Sequence, residues 1–130
     1  MTQTFADKIE QIYNRDPRYK PGAYEFVMEG IGFTQQKFKR ERHVSGEELL
    51  QGLRELAIKK FGPLAQTVLG HWGVQATDDF GYIVFSLVEN GLLAREEEDT
   101  IESFRNGFNF AEAFAQGYRR ELSKEIGRIK

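Results

Sequence analysis

The sequence contains no cysteine, one tryptophan and three prolines among its 130 residues. Without cysteine, a disulfide framework, a thiolate metal site and a cysteine nucleophile are all excluded. No run approaches the roughly 20 apolar residues of a membrane-spanning helix. Asp7, Lys8 and Glu10 interrupt the apolar pattern of the first segment, which argues against a signal peptide. We therefore expect a cytoplasmic protein that has no membrane partner.

What the sequence does contain is typical of one globular domain over residues 1–130. Hydrophobic residues make up 40% of the chain, and eleven positions are phenylalanine. A chain of this length and composition can bury a core without covalent cross-links. The formal net charge is −2, but the first half of the chain is net basic and the second half is net acidic.

Capping signals predict a helical core over residues 45–93. Ser45 followed by Glu48 matches a capping box, in which each residue satisfies a backbone N–H of the other. Gly62-Pro63 separates the first helix of this core from the second. Thr77 is expected to cap the third helix, since threonine is a favoured N-cap residue.

Helices are also expected on both sides of this core. Apolar spacing predicts two helices before it, over residues 5–13 and 23–38, and one after it, within residues 110–130. The segment 94–110 is predicted to be a wing or a loop, with a short strand near residues 92–95. Asn106-Gly107 favours a tight turn between strands, but Asn109 could equally cap the last helix.

The sequence thus predicts a mainly α, compact helical domain, for which two arrangements remain open. Three helices followed by a strand and a polar loop is the order of a winged helix-turn-helix domain with a small β-wing, here extended by a C-terminal helix. In that arrangement 78–90 is the recognition helix and 95–103 is the wing. The alternative is another compact helical packing.

Short runs between residues 9 and 115 add a family resemblance through their order and spacing: Asp16-Pro17-Arg18-Tyr19, Ala23-Tyr24-Glu25-Phe26-Val27, Arg42-His43-Val44-Ser45-Gly46-Glu47-Glu48-Leu49-Leu50, Phe61-Gly62-Pro63-Leu64-Ala65, Trp72-Gly73, Thr77-Asp78-Asp79-Phe80-Gly81 and Gly91-Leu92-Leu93. They resemble a bacterial family of conserved hypothetical proteins that is described mainly from planctomycetes and verrucomicrobia. The resemblance implies one compact domain. It assigns no catalytic residue, cofactor or partner, because that family has no established activity.

Residues with catalytic or metal-binding chemistry are few. His43 and Ser45 could be a base and a nucleophile, but the capping box already explains Ser45. His43 and His71 lie too far apart in sequence to match a metal motif, and Asp78 and Asp79 suit the first turn of a helix. We expect no catalytic, metal-binding or cofactor-binding residues and no cofactor. A small-ligand or enzyme site near His43, His71 and Trp72 is an alternative.

Nucleic-acid binding is a second alternative, and the charges restrict where it could occur. Four basic residues could contact phosphates: Lys37, Lys39, Arg40 and Arg42. The helix expected at 78–90 contains Asp78, Asp79 and Glu89 but no lysine or arginine. The expected wing is also acidic. Because a groove-binding helix lies between phosphates, we do not expect DNA binding through helix 78–90.

Protein contact is the leading prediction. Tyr82, Phe85 and Phe33 are expected to be exposed. The last helix has an apolar side marked by Phe114, Tyr118, Leu122, Ile126 and Ile129, which could pack on its own domain or pair with a second chain. Exposed aromatic and apolar residues are typical of interaction surfaces. We predict a non-enzymatic protein-interaction or assembly domain, which forms a homo-oligomer or part of a larger assembly.

Overall fold

The computed structural model describes residues 3–41, 43–94, 101–105 and 107–129. These residues form six α-helices and two 3-10 turns, and they contain no β-strand. The helices are α1 (Phe5–Arg15), α2 (Pro21–Phe38), α3 (Gly46–Phe61), α4 (Ala65–His71), α5 (Thr77–Glu89) and α6 (Phe110–Ile129). The turns span Gly62–Leu64 and Ile101–Phe104. The mainly α prediction is confirmed.

The winged-helix arrangement is not supported. Leu92 was expected in a strand, but its backbone N–H donates to Leu87 O at 2.8 Å and so closes the end of α5. Gly91 makes this closure possible through its positive φ of 73°, a backbone conformation that glycine adopts without strain. A backbone N–H that satisfies a helix carbonyl cannot also pair in a sheet. The expected wing residues 95–100 lie outside the described part of the chain.

The alternative predicted for Asn109 is the one observed. Its side-chain Oδ1 accepts the backbone N–H of Glu112 at 3.0 Å, and α6 begins at Phe110. Because Asn109 caps α6, it does not pair as a strand residue of the expected hairpin around Asn106-Gly107. Gly107 instead donates its backbone N–H to Thr77 Oγ1 at 3.0 Å.

The start of α5 corrects a second expectation, because Thr77 is not its N-cap. Ala76 occupies the cap position, and Thr77 is the first helical residue. Asp79 provides the other half of a capping box, since its Oδ2 accepts the backbone N–H groups of Gln75 at 2.9 Å and Ala76 at 3.1 Å. The Thr77 hydroxyl is instead in contact with Gly107.

The start of α3 is as predicted. Glu48 donates its backbone N–H to Ser45 Oγ at 3.1 Å, and Ser45 donates its own N–H to Glu48 Oε1 at 3.0 Å. The bond from the Ser45 backbone N–H lowers the pKa of the Glu48 carboxyl, and the neighbouring Arg40 guanidinium lowers it as well.

Helices α2 and α3 pack closely because small residues face each other. A side chain at Gly52 would collide with the side chain of Thr34, and one at Gly30 would collide with Leu53. Thr34 is completely buried, and its hydroxyl donates to Gly30 O at 2.6 Å. Gly30 thus allows the close approach of the two helices, whereas a side chain at Gly32 would meet open space.

One hydrophobic cluster connects all six helices. Its largest fully buried side chains include Ile9 from α1, Val27 from α2, Leu53 from α3, Leu69 from α4, and Phe80, Ile83 and Leu87 from α5. Phe110 and Phe114 bring α6 into the same cluster, where the Phe80 and Phe110 rings lie 5.9 Å apart. The buried faces of α5 and α6 are therefore fixed, and this leaves their opposite faces outward.

Candidate interaction surface

Helix α5 has one buried and one outward face. Phe80, Ile83 and Leu87 are buried, and no more than 1% of each is exposed. Tyr82 and Phe85 point the other way, where they are 36% and 43% exposed. At 3.6 residues per turn, Asp78 and Glu89 share this outward side with the two rings. We call Asp78, Tyr82, Phe85 and Glu89 the α5 face.

A tyrosine from the α1–α2 connection anchors the start of α5. The buried Tyr19 hydroxyl donates to Asp79 Oδ1 at 2.5 Å. Burial, followed by this bond to the carboxylate, raises the pKa of Tyr19 far above its ordinary value. Asp79 therefore both caps α5 and fastens it to the segment before α2.

Backbone contacts hold the same segment against the loop before α5. Lys20 donates its backbone N–H to Trp72 O at 3.0 Å. Gly73 has a φ of 94°, and a Cβ atom there would collide with the carbonyl oxygen of Arg18. Only glycine fits this close approach, because other residues rarely adopt such a φ.

Two arginines border the α5 face from this side. The Arg18 guanidinium lies 5.6 Å from the centre of the Tyr82 ring and 5.8 Å from that of Tyr19. Arg15 donates to Asn90 Oδ1 at 2.7 Å, next to the end of α5. The Arg18 cation therefore lies close enough to the Tyr82 ring to be attracted by its π face.

Helix α6 also carries apolar side chains on its outward side. Phe110, Ala113 and Phe114 are 4% exposed, whereas Leu122 is 44% and Ile126 is 57% exposed. At 3.6 residues per turn, Leu122 lies roughly opposite Ala113. Arg119 is exposed and falls on the same side as Leu122 and Ile126. We call Arg119, Leu122 and Ile126 the α6 face. The side chain of Tyr118 lies outside the described residues.

Two of the four basic residues predicted to contact phosphates pair with glutamates. Lys37 Nζ lies 2.8 Å from Glu55 Oε1, and Arg40 Nη2 lies 3.3 Å from Glu48 Oε2. Lys39 closes α2 in a left-handed conformation with φ of 56°. Arg42 lies outside the described residues. The groove beside this segment is lined by residues of both charges: Glu29, Glu41, Lys39 and Arg40.

The structure does not bring His43 near Trp72. His43 lies three residues before α3, and the Trp72 ring packs 5.7 Å from Phe61, the last residue of α3. A helix of 16 residues is about 24 Å long, so the two residues lie at opposite ends of it. Trp72 is partly buried among aromatic rings, and a side chain at Gly22 would collide with it.

The remaining polar candidates are dispersed. His71 is exposed, with its Nε2 3.2 Å from Lys20 Nζ. Asp79 is committed to Tyr19 and to the cap of α5. Within the described ranges, no group of three or more histidine, aspartate and glutamate side chains could hold a metal ion. The Ser45 hydroxyl accepts the helix-capping bond from the Glu48 backbone N–H.

Sequence reasoning did not identify Arg18 and Tyr19 as parts of the surface. They lie in a non-helical connection between α1 and α2, where no periodic pattern indicates which side chain is buried. The bond between Tyr19 and Asp79 joins residues 60 positions apart. Only the packing of the complete chain could reveal it.

Comparisons with protein-family models, curated proteins and solved structures find no match for this chain. The resemblance to the planctomycete and verrucomicrobial family therefore stays a prediction. In the part of the chain that the structure describes, no helix is both long and apolar enough to cross a bilayer.

Proposed function

We propose that this chain is a non-enzymatic protein-interaction or assembly domain that contacts its partner through the α5 and α6 faces. The observation that carries the proposal is the position of four exposed large side chains. Tyr82 and Phe85 share one side of α5, and Leu122 and Ile126 share one side of α6. Both sides point away from the core to which the helices are anchored.

Paired exposure distinguishes these residues from ordinary surface apolar groups. Single exposed apolar side chains are common on soluble proteins and need no explanation. Tyr82 and Phe85 are neighbours on one helix face, and Leu122 and Ile126 are neighbours on another, so each pair exposes more apolar surface in one place than a single residue does. Tyrosine and phenylalanine also provide a large contact area at a small cost in side-chain entropy.

The other two predicted functions gain less support from the structure. The basic segment meets glutamates at Glu55 and Glu48, and these acids would compete with phosphates for its cations. The α5 face contains two carboxylates and no basic residue of its own helix. For an enzyme or small-ligand site, His43 and Trp72 lie at opposite ends of α3.

A retention experiment with matched variants tests this function. Tagged wild-type chain is incubated with a lysate of the source cells, and bound proteins, including untagged copies of the chain, are identified by mass spectrometry. Phe85→Asp and Leu122→Asp each place a charge in one face and should abolish specific retention. Leu64→Asp is the control, because Leu64 is 58% exposed but belongs to neither face.

Circular dichroism verifies that the three variants keep their helices. Retention that is equal in wild type, Phe85→Asp and Leu122→Asp would contradict the proposed function. Absence of any specific retention by the wild type, together with a monomeric purified chain, would contradict it as well.

A further inference from the structure

We propose that the partner of these faces is a second copy of this chain, with the α5 face of each copy against the α6 face of the other. This inference rests on the proposed function and names its partner. The argument follows from the spacing of the residues on the two faces, from their charges and from the directions in which they point.

The two faces have the same residue spacing. Tyr82, Phe85 and Glu89 are separated by three and four positions along α5, and the same separations divide Arg119, Leu122 and Ile126 along α6. At a rise of 1.5 Å per residue, each set spans about 10 Å. Two helix faces of equal length can therefore be laid along each other in full register.

An antiparallel arrangement places apolar residues against apolar residues and opposite charges against each other. It places Tyr82 against Ile126, Phe85 against Leu122, and Glu89 against Arg119. Reversing one helix exchanges the spacings of three and four, so the central pair is offset by only about 1.5 Å. A parallel arrangement would instead place Arg119 against the Tyr82 ring, which already has Arg18 as its cation.

The charges at the end of this contact are available for pairing. Glu89 is exposed, and among the described residues no ion-pair partner contacts it. Arg119 is exposed as well. Helix α6 as a whole is nearly balanced, with four basic and three acidic residues, and Arg15 and Arg18 border the carboxylates of the α5 face. The attraction across the contact therefore comes from the pair Glu89 and Arg119.

These faces cannot meet within one chain. Both helices are anchored to the same core, α5 through Ile83 and Leu87 and α6 through Phe110 and Phe114. The side chains on their opposite sides, Tyr82 and Phe85 on α5 and Leu122 and Ile126 on α6, are exposed and so are not packed against each other. The complementary face has to come from another molecule.

A closed pair makes the contact twice, which compensates for its small size. Three pairs of side chains on two short helix segments bury much less than the ~1,200 Å² at the lower end of stable interfaces. A two-fold arrangement repeats the contact and also prevents the open growth that a single head-to-tail contact allows. We therefore expect a dimer with a Kd in the micromolar range, about 1–100 µM.

Sedimentation equilibrium of the purified full chain tests this arrangement. The wild type should approach twice the 15.0 kDa mass of one chain as its concentration rises above that range. Phe85→Asp and Leu122→Asp should remain monomeric, whereas Leu64→Asp should associate like the wild type. Circular dichroism of each variant separates loss of the contact from loss of the fold.

Charge exchange identifies the register. Glu89→Arg alone and Arg119→Glu alone each place like charges opposite each other twice, and each should weaken association on the order of tenfold or more. An equimolar mixture of the two variants should recover the wild-type association, because both contacts then carry opposite charges again. The double variant Glu89→Arg/Arg119→Glu should recover it too.

A wild-type chain that stays monomeric at millimolar concentration would overturn the inference, and so would masses that grow beyond two copies. Failure of the mixed variants to recover association would overturn the antiparallel register. The proposed function fails separately: a monomeric chain that still retains a different protein through Phe85 and Leu122 would refute only the second copy as partner.

Discussion

The Tyr19 hydroxyl donates a hydrogen bond to Asp79 Oδ1 at 2.5 Å, across 60 positions of the chain. The other oxygen of the same carboxylate accepts the N–H groups that precede α5. Tyr19 thereby fastens the first turn of α5 to the connection between α1 and α2. Since Arg18 lies on the Tyr82 ring, this connection also supports the α5 face.

The Tyr19 contact predicts a loss of stability at alkaline pH. Burial and the Asp79 carboxylate raise the pKa of Tyr19 above its ordinary value of 10.0, so folding favours the neutral phenol. Its contribution to the free energy of unfolding is fully present below pH 10 and falls as the pH rises above that value. Tyr19→Phe should lower the free energy of unfolding by about 1–3 kcal/mol at pH 7, since Asp79 loses a buried donor.

Chemical denaturation at pH 7 and above pH 10 measures both effects. Tyr19→Phe should lose less stability than the wild type over this interval. A residual slope remains, because burial also raises the pKa of Tyr24. An identical slope in the two proteins would show that the Tyr19 contact does not contribute to the alkaline transition.

Two glycine substitutions should have opposite effects on stability, because Gly52 lies in the contact between α2 and α3 and Gly70 does not. Gly52→Ala adds a methyl group that collides with the buried Thr34 side chain, and overpacking of this kind costs about 1–3 kcal/mol. Gly70→Ala is the matched control, because Gly70 lies in α4 and a Cβ atom there meets nothing within 4 Å. Alanine in an open helical position should stabilise by roughly 0.5–1 kcal/mol.

Urea denaturation compares the two variants with the wild type. The denaturation midpoint should be highest for Gly70→Ala, intermediate for the wild type and lowest for Gly52→Ala. A Gly52→Ala midpoint equal to that of the wild type would contradict the close packing of α2 on α3.

Local sequence signals predicted the helices but not all of their ends. Ser45 and Glu48 form their capping box within four residues, so the sequence alone indicates it. At the start of α5, Thr77 and Asp79 are both competent capping residues, and the fold selects Asp79 because Tyr19 and Gly107 engage the two side chains. Leu92 resembled a strand residue because an apolar residue that follows Gly91 can either extend or turn back.

The surfaces were predicted less completely than the helices. The exposure of Tyr82 and Phe85 was predicted. On α6, the sequence placed Leu122 and Ile126 on one apolar side with Phe114, whereas the structure buries Phe114 and leaves Leu122 and Ile126 exposed. The pairing of Lys37 and Arg40 with glutamates was not predicted, since Glu55 lies on a different helix from Lys37. Contacts between helices depend on packing, which a single sequence does not display.

Those ion pairs argue against nucleic-acid binding through the basic segment. Mixed-sequence DNA and RNA oligonucleotides should show no binding to the wild type at physiological salt. Fluorescence anisotropy at several salt concentrations measures this, with Lys39→Glu/Arg40→Glu as the comparison. Binding that weakens steeply with salt and disappears in that double variant would assign phosphate contact to the basic segment.

Loss of the α3 cap provides a prediction for the helical core. Ser45→Ala removes the acceptor for the Glu48 backbone N–H and should reduce the free energy of unfolding by about 0.5–2 kcal/mol. Ser45→Asp retains an acceptor at the cap and should keep most of that stability. Equal denaturation midpoints for the wild type and Ser45→Ala would refute the contribution of the capping box.

Oxidative cross-linking tests the contact between the two faces most directly, because the chain has no cysteine of its own. Phe85→Cys and Leu122→Cys are prepared separately, mixed in equal amounts and oxidised at a concentration where the wild type associates. The mixture should form a disulfide-linked pair containing one chain of each variant, whereas either variant alone should remain uncross-linked. Absence of the mixed pair, or equal cross-linking of one variant with itself, would contradict the pairing of the α5 face with the α6 face.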